Sequence, residues 1–177
     1  MENVKKENQI KKEKVNVLFV CTGNTCRSPM AEQLFSDYLR RRKCASIADV
    51  SSAGVYADNG RPMPPEAVGV LSELNVTVKP HKSRLLTVDI LQNSDIIVCM
   101  TEAHRAELLD SAAYAYAASD GNYRIIGTAR ELIGEDISDP YGKGIEAYRA
   151  AAQSIMRLCA PLEEAVRKFQ DEHKLAY

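Results

Sequence analysis

The sequence predicts a single three-layer α/β domain: a four-stranded parallel sheet with helices on both faces. Its 177 residues suit one hydrophobic core, since single domains typically hold roughly 100–200 residues. From Val15 onward, short apolar runs alternate with longer amphipathic stretches, as when parallel strands are joined by crossover helices. The clearest run, "DIIVCM", is apolar on successive positions, as expected of a strand covered on both faces.

Residues 1–14 precede that pattern with five lysines, three glutamates and two isolated aliphatics. So little apolar surface cannot offset the entropy of ordering the segment. A flexible lysine-rich tail is expected there, with residues 15–177 forming the folded domain. The glutamates among the lysines argue against a nucleic-acid-binding arm. Strands are expected at Val15–Val20, Asp49–Ala53, Asp95–Met100 and Tyr123–Thr128. The first helix should start at Ser28 as N-cap with Pro29 in the first helical position, presenting Ala31, Leu34, Phe35 and Tyr38 on one face. Helices should also follow Pro64, Thr87 and Thr101. In the last helix, Ile145, Tyr148, Ala152, Ile155, Cys159, Leu162, Val166 and Phe169 recur three and four residues apart. Pro161 falls within that stripe and should kink or restart the helix, and Cys159 reads as a core residue.

Lysine and arginine total 23 against 24 acidic residues, so overall charge points to no nucleic-acid partner. The five cysteines are odd in number and irregularly spaced, and no secretory signal precedes them, which suits a reducing cytoplasm better than a disulfide framework. No apolar run approaches the roughly 18 residues of a membrane helix. A cytoplasmic monomer with neither a membrane nor a nucleic-acid partner is expected.

The chemistry concentrates in "VLFVCTGNTCRSPMAEQLF", where an apolar run stops at Cys21, turns through polar residues and resumes as a helix. A strand, a glycine-containing turn and a helix start surround one concavity with backbone N–H groups and the positive end of a helix dipole, which suits an oxyanion. Thr22, Gly23, Asn24, Thr25 and Cys26 would supply the amides. Gly23 permits close backbone approach, and Asn24 tolerates a left-handed conformation. Arg27 offers a planar fork for two phosphoryl oxygens. With the helix start and the Ser28 hydroxyl, it also favours the thiolate form of Cys21, the attacking nucleophile.

The bare spacing Cys-x5-Arg is weak evidence, because Cys99 and Arg105 repeat it. That second copy lacks glycine and puts Glu102 where an anion would sit, so Cys99 reads as a buried thiol at a strand end. A thiolate that takes a phosphoryl group also needs a proton donor for the leaving group. "DISDPYGKG" offers Asp139, held by Pro140 and followed by Tyr141, with Asp136 as the alternative acid. Asp-Pro-Tyr-Gly is equally a turn sequence, and only its company with the cysteine loop favours the acid. His81 and His104 read as ordinary polar residues. No metal-ligand spacing is present, so no metal or cofactor is expected. Cys26, five residues after Cys21, either packs under the loop or could form a reversible disulfide with it.

The loop "CTGNTCRSPMAE", the later "SAGV" at Ser52–Val55 and "DPYG" resemble the low-molecular-weight protein tyrosine phosphatase family, in that order, from about Val15 to Phe169. The resemblance implies a Rossmann-like sheet and a phosphocysteine mechanism. In it Cys21 attacks, Arg27 and the loop amides bind the phosphoryl oxygens, Ser28 stabilises the thiolate, and Asp139 protonates the leaving group and then activates water. Asn24 and Ser52 match positions that support the loop. Thr25 resembles the bacterial protein arginine phosphatases, whose loop reads Cys-Thr-Gly-Asn-Thr-Cys-Arg, where tyrosine-specific members carry a bulky aliphatic. Tyr56 and Tyr141 also look like that subgroup. The function implied is hydrolysis of phosphoarginine on proteins. The alternatives are a tyrosine phosphatase using the same residues, an arsenate reductase lacking its resolving cysteine pair here, and a non-catalytic phosphate-binding module.

Overall fold

The computed structural model describes residues 14–122 and 124–174. In chain order the elements are β1 (Val15–Cys21), α1 (Arg27–Arg41), β2 (Ala48–Gly54), α2 (Pro65–Glu73), α3 (Val88–Gln92), β3 (Ile96–Cys99), α4 (Glu102–Asp110), α5 (Ala112–Ala118), β4 (Ile125–Thr128), α6 (Ala129–Ile133) and α7 (Ile145–Lys174). The four strands form one parallel sheet in the order β2-β1-β3-β4. The expected architecture is therefore present.

Two-residue periodicity divides the core. Val15, Val17, Phe19 and Cys21 of β1 join α1, α2 and α7 on one face, whereas Leu18 and Val20 join α3, α4 and α5 on the other. In β3, Ile96 and Val98 share the first layer while Ile97 and Cys99 share the second. Cys99 is fully buried, and burial pushes its thiol up to about 12, in keeping with a structural strand-end residue. Cys159 lies buried on the α7 stripe, its thiol likewise raised to about 12. The strand order reverses beside β1, whose neighbours β2 and β3 lead to opposite faces. A crevice at the carboxyl end of such a strand is the usual ligand position in open α/β sheets. Cys21 is the last residue of β1.

Every expected strand shifts at its boundaries, the second running Ala48–Gly54 in place of Asp49–Ala53 and the third Ile96–Cys99 in place of Asp95–Met100. The first strand runs one residue further, through Cys21, whose register partner is Gly54. The fourth begins at Ile125, while Tyr123 lies outside the described residues, as do residues 1–13 of the expected tail. Helix α1 begins at Arg27 with Cys26 at the cap, so Pro29 is third in the helix and Ser28 is not the N-cap. Proline fits there because first-turn N–H groups have no intrahelical acceptor, and the Ser28 hydroxyl is engaged with Cys21 instead of capping. Finally, α7 passes through Pro161 without restarting. Ile155, Leu158, Leu162 and Val166 bury the same stripe on both sides of the proline, and that packing offsets the lost hydrogen bond.

Helices α5 and α6 carry too few turns for periodicity to reveal them. Side chains cap both: Ser111 accepts from the Tyr114 amide, and Thr128 and Glu131 form a capping box closed by left-handed Gly134. Among the described residues no helix is long and apolar enough to cross a membrane.

Candidate active site

The turn between β1 and α1 is held from every side. Asn24 adopts a left-handed φ of 53° and is fully buried. Its amide nitrogen donates to the hydroxyls of Ser28 and Ser52, both at 2.9 Å, while its side-chain oxygen accepts from the Arg84 amide at 2.9 Å. His81 Nε2 donates to the Asn24 carbonyl at 2.7 Å. Asn24 thus spends both ends of its side chain on locking the turn, which makes the strained backbone affordable.

Cys21 Sγ lies 2.9 Å from Ser28 Oγ. The Ser28 hydroxyl also accepts from Asn24, and its own proton is within reach of Cys21 Sγ at 2.9 Å and of the Ala53 carbonyl at 3.5 Å. Ser52, in turn, donates to Glu32 at 2.6 Å. Asn24 thus joins Ser28, which meets Cys21, to Ser52 of β2.

Among the loop's neighbours, the glycine most tightly enclosed by protein atoms is Gly54. A Cβ on Gly23 would meet nothing nearer than 3.8 Å, and its φ is not left-handed. A Cβ on Gly54 would stand 2.4 Å from the Thr22 carbonyl oxygen and 2.9 Å from the Asn24 nitrogen. Gly54 lets the strand-β2 backbone press against the loop, where the Val55 and Tyr56 amides donate to the Cys21 and Thr22 carbonyls at 3.0 Å each.

Arg27 is buried and reaches across to the segment before α7. Nη1 donates to the Ile137 carbonyl at 3.2 Å and Nη2 to Asp139 Oδ2 at 3.1 Å. Two of its five N–H donors are thereby committed to the segment that carries Asp139. The Asp139 side chain is half exposed, and its Oδ1 accepts from the Tyr141 amide at 3.2 Å. Asp136 is directed elsewhere: it pairs with Arg130 at 2.9 Å and accepts from the Glu102 amide, and the Arg130 hydrogen bond holds its carboxyl below the usual range. Of the two candidate acids, the fold brings Asp139 to Arg27 and ties Asp136 to a different cation.

Thr25 is partly exposed, its hydroxyl 3.7 Å from Cys26 Sγ. Cys26 is buried against the Tyr148 hydroxyl at 3.5 Å, and burial raises its thiol. Both thiols of the loop are free. The aromatic rings of Tyr56 and Tyr141 stand exposed on residues whose backbones are bonded to the loop and to Asp139 respectively.

The family model described as low molecular weight phosphotyrosine protein phosphatase matches residues 16–172. The chain belongs to that family. It is a hydrolase of the phosphatase class. The chain is 32% identical over 158 residues to the protein-arginine-phosphatase of Bacillus subtilis, covering 87% of this chain and 98% of the relative. It is 31% identical over 150 residues to the low molecular weight protein-tyrosine-phosphatase PtpB of Staphylococcus haemolyticus, covering 84% and 97%. Among solved structures, a cysteine-to-serine variant of the YwlE arginine phosphatase with a phosphorylated active-site serine superposes with a TM-score of 0.75 at 30% identity, over 87% of this chain and 97% of that one. A low molecular weight protein tyrosine phosphatase from T. tengcongensis gives 0.74 at 35% identity, over 85% and 99%.

Within this family site, sequence reasoning missed Gly54, Arg84, His81 and His104 as loop supports. His104, buried on α4, brings Nε2 to the Thr22 hydroxyl at 2.9 Å and Nδ1 to the Thr101 hydroxyl at 3.0 Å. Burial, with the Arg27 guanidinium nearby, pushes this imidazole down to about 4 from an ordinary 6.5. The folded state therefore prefers the neutral ring, whereas the unfolded chain takes up a proton below the ordinary value. The contribution is fully present above about pH 6.5 and is lost as pH falls toward about 4. Replacing His104 with Gln should flatten the decline in unfolding midpoint across that window, measured by denaturant titration at several pH values. An unchanged slope would mean that other groups govern it.

Proposed function

We propose that the protein is a cysteine-dependent phosphatase that hydrolyses phosphoarginine on proteins through a phosphocysteine. The observation that carries the chemistry is the buried Cys21 thiol facing a Ser28 hydroxyl, with the Arg27 fork shared by Asp139 beside the same loop. Cys21 Sγ attacks phosphorus in line and the bond to the leaving group breaks. The amides of Thr22 to Cys26 and the remaining Arg27 donors hold the phosphoryl oxygens. Asp139, protonated, gives its proton to the leaving nitrogen. Its carboxylate then takes a proton from water, which attacks the phosphocysteine and releases inorganic phosphate and the thiolate. The phosphorylated serine in the YwlE variant supports a phosphoryl acceptor in this loop.

Thr25 supports arginine as the substrate. Its hydroxyl keeps polarity and room near the leaving group, which an isoleucine would replace with carbon. The exposed rings of Tyr56 and Tyr141 offer flat walls to a planar group, and a guanidinium stacks on such faces as well as an aryl ring does. Thr25→Ile keeps the branch at Cβ, so the loop should survive. A polar contact of this kind is worth about 1–3 kcal/mol, or roughly tenfold to over a hundredfold in selectivity. The ratio of kcat/KM on phosphoarginine to that on phosphotyrosine peptides should fall by that factor. An unchanged ratio would remove the main support for arginine. A wild-type ratio favouring phosphotyrosine would identify a tyrosine phosphatase using the same residues.

A further inference from the structure

Thr22 follows Cys21 directly in the loop and is exposed, yet a buried side chain holds its hydroxyl. Nε2 of His104, on α4, lies 2.9 Å from Thr22 Oγ1, and Nδ1 of the same ring lies 3.0 Å from Thr101 Oγ1. The charges of Arg27 and Asp139 both act on this ring, so the clamp stands beside the reacting groups. Burial keeps the imidazole neutral, and a neutral ring carries one N–H. Thr101 decides which nitrogen holds it. As the N-cap of α4, Thr101 Oγ1 accepts from the His104 backbone amide at 3.2 Å, and among the described residues the acceptor that meets its own proton is Nδ1. Nε2 then bears the hydrogen and donates to Thr22 Oγ1. The Thr22 backbone is fixed separately, because its carbonyl accepts from the Tyr56 amide at 3.0 Å. His104 therefore acts on the Thr22 side chain. It selects one rotamer and occupies one lone pair, which leaves the hydroxyl proton without an acceptor among the described residues.

We infer that this proton is donated to an oxygen of the bound phosphoryl group, and that His104 is the positioning residue that aims it. The inference rests on the phosphatase reading and adds one side-chain donor to the loop amides and the Arg27 fork. A phosphoryl oxygen is an anionic acceptor, whereas a leaving guanidino nitrogen presents N–H donors of its own. A hydroxyl with a proton to give suits the phosphoryl side. Without His104, Thr22 would divide its hydroxyl among rotamers and water, and each departure takes the donor away from the site.

The test measures kcat/KM on a phosphoarginine peptide and on a small aryl phosphate, with calorimetric affinity for inorganic phosphate as a readout that needs no turnover. Thr22→Val keeps the branch at Cβ and removes the hydroxyl. It should lower kcat/KM on both substrates and weaken phosphate binding, each by roughly ten- to a hundredfold, the range for one hydrogen bond to a charged group. Thr22→Ser should recover most of that loss. His104→Leu should reproduce much of it, and His104→Gln, whose amide N–H reaches the place of Nε2–H, should lose less. In the Thr22→Val background His104→Leu should cause no further loss, because its target is gone. A histidine that merely supported the fold would lower the active fraction, leave phosphate affinity per active site unchanged and give losses that multiply with those of Thr22→Val. Multiplying losses, a Thr22→Val enzyme that binds phosphate like wild type, or a loss confined to phosphoarginine would each overturn the inference. If wild type binds phosphate but turns over neither substrate, the phosphatase reading falls, and the phosphate affinities of the variants still decide the Thr22 donor.

Discussion

Cys21→Ser is expected to abolish turnover, by at least about ten-thousandfold, and to leave the fold intact. The reason lies in acidity and position together. A serine hydroxyl is far less acidic than a thiol, so the donors that stabilise a thiolate cannot supply a useful alkoxide at neutral pH. The Ser28 hydroxyl at 2.9 Å and the Asn24 amide behind it are too weakly basic to take a proton from a serine. Serine is nearly isosteric, and Cys21 is held mainly by its β1 backbone and by the Val55 amide, so unfolding midpoints should stay close to wild type. The control is Cys99→Ser, which repeats the Cys-x5-Arg spacing in a fully buried strand. That change should cost about 1–2 kcal/mol of stability by placing a hydroxyl in an apolar layer, while activity per folded molecule persists. A phosphoryl group trapped on any residue other than Cys21 would overturn the assignment.

The contrast between the two Cys-x5-Arg copies shows what was legible before the structure. "VLFVCTGNTCR" announced strand, turn and helix because its chemistry is local: apolar run, glycine, Asn24 and a cation within one loop. The left-handed φ of Asn24 and its bond to Ser28 lie within that same stretch. Support from distant segments was not legible. His81, Arg84 and His104 meet the loop from 57 to 82 residues away in sequence, and nothing in "PHKSR" or "EAHR" marks them except the fold that delivers them. Gly54 illustrates the same limit. "SAGV" was readable as a pattern, but the reason for its glycine, a Thr22 oxygen 2.4 Å from where a Cβ would stand, exists only after β2 has paired with β1. The α1 start moved for a related reason: Ser28 is a good cap by propensity, and its contact with Cys21 took the hydroxyl that capping would have used.

Asp139→Asn separates acid catalysis from loop positioning. The amide is isosteric and its oxygen can still accept from Arg27, so the 3.1 Å contact and the approach of the segment to the loop should persist. What disappears is the transferable proton. A guanidino nitrogen leaving unprotonated would be a strong base, so phosphoarginine turnover should fall by about a hundredfold to a thousandfold, within the range expected for one general acid. Aryl phosphates bearing electron-withdrawing substituents leave as stable anions and should lose less than about tenfold on the phosphorylation step. Single-turnover kinetics on both substrates reads that step directly, before water attacks the phosphocysteine. Asp136→Asn should alter neither rate much, because Asp136 is paired with Arg130 and held as a carboxylate with no proton to give. Equal losses on both substrates in Asp139→Asn would show that Asp139 holds Arg27 in place instead of donating a proton. A selective loss in Asp136→Asn would move the acid to that residue, and would require the Arg130 pair to open during turnover.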